Sequence, residues 1–130
     1  MTTSANVNKF LNKAAKLNTN DPPTSVSINP VSHLHEAGES IYYAPDGYSA
    51  IILMVQVTNV NTAPANATFF WHSDSAASNT ELIKNVTIPP GDAINILTGK
   101  LILQSNDALY GISSTNNYLK ATLSILESLN

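Results

Sequence analysis

The chain has 130 residues, six lysines, no arginine, nine carboxylates and a formal charge of −3. Cysteine is absent, which excludes disulfides, thiolate metal sites and cysteine nucleophiles. An acidic balance excludes nucleic acid as the main partner, and no apolar run reaches the roughly 18 residues of a membrane span. The charged fraction is only 12%, about half the usual share. Polarity comes instead from Asn, Ser and Thr, which supply 42 residues. Surfaces of this kind dock against neighbours with little charge desolvation, which suits assembly subunits.

Residues 4–18 carry helical spacing. Ser4 is placed to cap, Val7, Phe10, Leu11 and Ala14 share one side, and Lys9, Lys13 and Lys16 lie on another. A single helix of this length is marginal alone, so the expectation is an arm whose apolar side docks on another subunit. Its three lysines precede every acid, while the rest of the chain carries three lysines against nine acids, so arm and body attract. The segment lacks the compact apolar run and small-residue site of a signal peptide. Asp21-Pro22-Pro23 forbids continuation of a helix and reads as a hinge. The division expected is an arm over 1–24 and a β-domain over 25–130.

Within that β-domain the apolar runs predict strands near 25–29, 31–36, 40–43, 49–58, 67–72, 80–88, 93–97, 100–103, 108–113 and 118–127. Between them stand turn signals such as Ala44-Pro45-Asp46-Gly47, Pro89-Pro90-Gly91-Asp92 and Gln104-Ser105-Asn106-Asp107. Many short strands without an intervening helix predict an all-β antiparallel sandwich, jelly-roll-like. Alternation puts Leu119, Ala121, Leu123 and Ile125 on one face of the last strand, with Tyr118, Lys120, Thr122, Ser124 and Leu126 on the other. In 49–58 both faces are apolar, which predicts a central strand covered on each side. Phe69 and Trp71 alternate with Phe70 and His72 and give large side chains to both faces.

Chemistry is sparse. His33 and His35 would share a strand face and could share a metal, but no spacing supplies the remaining ligands, with His72 and Glu36 the only ones to invoke. No Gly-x-Ser-x-Gly elbow, phosphate loop or calcium loop occurs. Asp46, Asp92 and Asp107 each stand where a turn favours Asp. Asn66-Ala-Thr and Asn85-Val-Thr match the glycosylation triplet by chance. Trp71, Phe69, Phe70, Tyr42, Tyr43 and Tyr48 could make a sugar-stacking platform, although core filling explains them better. The expectation is no catalytic residue, no cofactor, no metal and no enzyme.

The run from Glu81 through Ile88-Pro89-Pro90-Gly91-Asp92 and Gly99-Lys100-Leu101-Ile102-Leu103 to Asp107 resembles a segment of small virion proteins of tailed phages. Those of phages infecting cyanobacteria and other marine bacteria are most similar. The closing Leu123-Ser124-Ile125-Leu126-Glu127 fits the same pattern. The resemblance spans the C-terminal half and implies a structural β-module located in the virion, with no catalytic residues to carry over. It implies partners that are other virion proteins and the chain itself, as a trimer or ring, in capsid decoration. The alternatives are a neck or tail subunit and a carbohydrate- or receptor-binding sandwich.

Overall fold

The computed structural model describes residues 8–17, 40–115 and 117–129. The strands expected at 25–29 and 31–36, the Pro22-Pro23 hinge, Val7, His33, His35 and Glu36 lie outside the described residues. Among the described residues there are nine strands and no helix: β1 Lys9–Lys16, β2 Tyr42–Tyr43, β3 Tyr48–Asn59, β4 Ala65–Ser73, β5 Ser78–Ile88, β6 Ala93–Asn95, β7 Leu101–Leu103, β8 Ala108–Ser113 and β9 Leu119–Leu129.

These strands form two antiparallel sheets. Sheet one runs β1-β9-β3-β6, with β7 also on β3; sheet two runs β2-β8-β4-β5. Successive strands cross between the sheets except at β4-β5 and β6-β7, and the first strand lies beside the last. One core joins the two layers in a sandwich-like arrangement. Ala50, Ile52, Val55, Val57, Leu119, Ala121, Leu123 and Ile125 come from sheet one, and Ala65, Ala67, Phe69 and Leu109 from sheet two.

Leu119, Ala121, Leu123 and Ile125 of β9 are all buried, as its alternation predicts. Strand β3 is interior to its sheet, as two apolar faces predict, and a register shift between Ile52 and Met54 sets Leu53 outward. Its outer face is not fully covered, since Leu53 remains exposed. The turn after Ala44 closes through Tyr48 N–H on Pro45 O at 3.0 Å. Gly47 there has φ +83°, a conformation costly for any residue with a Cβ.

The N-terminal helix is corrected. Residues 9–16 are an edge strand, paired antiparallel with β9 from Lys9↔Glu127 to Lys16↔Lys120. Backbone bonding to a neighbour replaces the helical bonds, and Leu17 follows into the core at 1% exposure. Helix propensity of Lys, Leu and Ala is a matter of tenths of a kcal/mol per residue, and tertiary pairing overrides it.

Candidate docking surface

Strand register assembles the site. Phe10 pairs with Leu126, Leu126 with Ile51, and Ile51 with Ile102. Side chains opposite one another in a ladder share a face, so these four form one apolar row across β1, β9, β3 and β7. The row lies on the outer face of sheet one, because the alternating partners Ile52, Ile125 and Leu103 are in the core. Its ends stand free: Phe10 is 74% exposed and Ile102 62%, with Leu126 and Ile51 half-buried between them. Leu53 adds to the patch.

The adjoining rows are uncharged. On one side Ser128 Oγ donates to Asn8 Oδ1 at 2.7 Å, next to Ser49. On the other, Ser124 Oγ donates to Asn12 Oδ1 at 3.1 Å, next to Met54. Further along are Ala14, Thr122 and Gln56, then Lys16 and Lys120, which lie directly opposite each other. Among the described strand residues on this face there is no carboxylate; Lys16 and Lys120 are at one end, and exposed Lys100 immediately precedes β7 on the Ile102 side.

The expected docking residues thus divide. Phe10 and Ala14 are on the outer face with Lys16. Leu11 turns to the core side and packs against it, while Lys9 and Lys13 share that side but are exposed at the edge. The helical stripe is therefore split between two faces. Ile102 was not legible as a docking residue, since nothing local distinguishes it from Leu101, which packs against the core, and Leu103, which is in it; only pairing to Ile51 places it outward.

Between the edges of the two sheets lies a cleft of about 520 Å3 lined by Lys9, Leu11, Lys13, Ile41, Tyr42 and Glu127. Tyr42 O–H donates to Glu127 Oε2 in a short bond that ties sheet two to sheet one. Both residues are buried. Burial, reinforced by the bond and by the negative charge of Glu127, holds the Tyr42 phenol far above its usual range. The pair bridges the two sheets and acts as a strut.

The other polar groups are likewise engaged in structure. Asp107, 2% exposed, accepts from Trp71 Nε1–H at 3.3 Å, Asp74 N–H at 2.9 Å and Gln104 N–H at 3.0 Å. Asp92 accepts from Ala93 N–H at 2.8 Å, and Asp46 from Asn106 Nδ2 at 3.3 Å. His72 Nδ1–H donates to Asn79 Oδ1 at 2.6 Å. Among the described residues no three His, Asp or Glu converge as metal ligands. Phe69 is fully buried and Trp71 packs on the core. Phe70 and Tyr110 stack at 5.0 Å and are also buried. In the two triplets, Thr87 Oγ1 donates to Asn66 Oδ1 at 2.8 Å and Thr68 Oγ1 to Asn85 Oδ1 at 3.4 Å.

No family model matches the chain, and no curated protein matches it.

Proposed function

We propose that the chain is a jelly roll and serves as a non-enzymatic structural subunit of a phage virion, self-associating and docking on neighbouring particle subunits in capsid decoration. The observation that carries this reading is the strand order. Among the described residues the first and last strands adjoin, and successive strands, β4-β5 and β6-β7 excepted, alternate between a five-stranded and a four-stranded sheet in the manner of two Greek keys. That arrangement is used by capsid proteins and also by lectins, and features of the surface support the first. Of the aromatic side chains that would stack on a sugar, Phe69, Phe70 and Tyr42 are buried, and Trp71, Tyr43 and Tyr48 are half-buried. Of the exposed large apolar side chains, Phe10 and Ile102 end a row across sheet one with Leu53 beside it, and only Val60 lies elsewhere among the described residues, which favours protein over glycan. The low charge and the structural engagement of Asp107, His72 and Glu127 support a role without chemistry.

Quantitative mass spectrometry of purified particles tests the reading. Many copies per particle, in fixed ratio to the major shell protein, are expected. A handful of copies moves the subunit to the neck or tail. Absence from particles, with glycan binding by the isolated protein, replaces the reading by the carbohydrate-binding alternative.

A further inference from the structure

The geometry points to a two-fold pairing of this chain with a second copy through the outer face of sheet one, with the symmetry axis lying along the row Phe10–Leu126–Ile51–Ile102. The inference deepens the self-association in the reading above and does not depend on the particle. A self-facing interface brings one patch against itself, so the patch must be complementary to its own image. An axis along the row achieves this on three counts.

Each row residue meets its own copy, so Phe10 and Ile102, the two most exposed apolar side chains, are covered by apolar partners. The flanking rows exchange places: Asn8, Ser128 and Ser49 face Asn12, Ser124 and Met54 of the second copy. Amides and hydroxyls of β1 and β9 there meet amides and hydroxyls, Met54 meets Ser49, and the one charge near these rows is Lys100 at the β7 margin, where it keeps its solvent. The third count is charge. Lys16 and Lys120 lie at one end of the face, and this axis sends the two lysine ends in opposite directions. An axis along the strands would instead bring four lysines to one end, where like charges repel. Pairing through the β1 edge is disfavoured for the same reason, since Lys9, Lys13 and Lys16 all stand on that strand.

The overlap is modest. Three rows of about 6.7 Å by four strands of about 4.8 Å give roughly 400 Å2 of flat face per copy. That is the range of weak, concentration-dependent contacts, as expected of a subunit whose other contacts form on assembly.

The absence of cysteine makes a single introduced thiol unique. Full-length Phe10→Cys and Lys16→Cys proteins are treated separately with a short bismaleimide across a concentration series, with wild-type sedimentation in parallel. In the pairing, the two copies of residue 10 face each other, whereas the two copies of residue 16 lie about 40 Å apart. Phe10→Cys is expected to give a covalent dimer whose yield rises with concentration, and Lys16→Cys at least tenfold less. Equal yields from the two, or no dimer from Phe10→Cys, overturn the pairing. A wild-type trimer or ring overturns it while leaving self-association intact, and a monomer at every concentration removes both.

Discussion

Tyr42 and Glu127 show how a buried polar pair can serve as a strut between layers. The carboxylate is buried and accepts the phenol's hydrogen. Removing the hydroxyl leaves a buried acceptor short of its partner, which costs about 1–3 kcal/mol. Tyr42→Phe is therefore expected to lower unfolding stability by that amount at neutral pH, measured by urea denaturation. The pH dependence has a definite sign. Tyr42 is held far above the usual phenol range, and burial pushes Tyr110 up to about 12. A raised pKa contributes stability that is fully present below the unfolded value of about 10 and is lost as pH rises beyond it. Stability should fall above about pH 10, less steeply in Tyr42→Phe. Asn59 is the second such residue, with no exposure. Its Nδ2 donates to Ala63 O and Ile88 O at 2.9 Å each, and its Oδ1 accepts from Asn61 N–H at 2.9 Å. One side chain thus fastens the 60–64 loop to the end of β5. Asn59→Ala is expected to cost about 2–3 kcal/mol, since it strands several groups at once, and to speed proteolysis within that loop.

Among the elements, β1 is where sequence and structure part. From β3 to β9 the alternation and the turn residues agree with each other, and every strand read there is present. Tyr118 through Glu127 is the clearest case, because alternate Leu, Ala, Leu and Ile admit only one buried face. In β1 the apolar residues fall at both helical and strand spacing. Leu11, Ala15 and Leu17 satisfy a period of two, while Phe10, Leu11 and Ala14 satisfy the helical one. What decides is the backbone of β9, eleven residues long, and no local signal reveals that partner. The consequence is testable. Leu17 is buried, and its Cδ2 would lie 3.1 Å from a Cβ placed at Gly111, which faces Phe69 more closely still. Leu17→Ala is expected to cost about 2–5 kcal/mol in chemical denaturation, a core value that an exposed arm would not give. Removing residues 1–17 should destabilise the sheet, as removal of a separate arm would not. Unchanged stability in both variants would return this segment to the role of a detachable arm.

On the scale of the whole molecule, a small sandwich-like protein hides its core between two sheets yet leaves an apolar row on one outer face. Half of that row was readable. Leu126 falls on the outer face by alternation, and Ile51 follows from the second apolar side of β3. Phe10 was read as a docking residue on a helix, and it stays exposed on a strand. Ile102 required the β3–β7 register, which no single sequence carries. The belt of few charges around the row follows from the composition, because a chain with few charges has Asn, Ser and Thr to place there. Sedimentation velocity of the full chain, compared with Phe10→Asp and Ile102→Asp, tests the central claim of self-association through this face most directly. Charges on an exposed row disturb no core, so both variants should keep the wild-type melting temperature. The wild type is expected to sediment faster as concentration rises toward roughly 100 µM, the range suited to a small interface, while the variants remain monomeric. A wild type that stays monomeric throughout, or variants that associate as it does, would contradict the account.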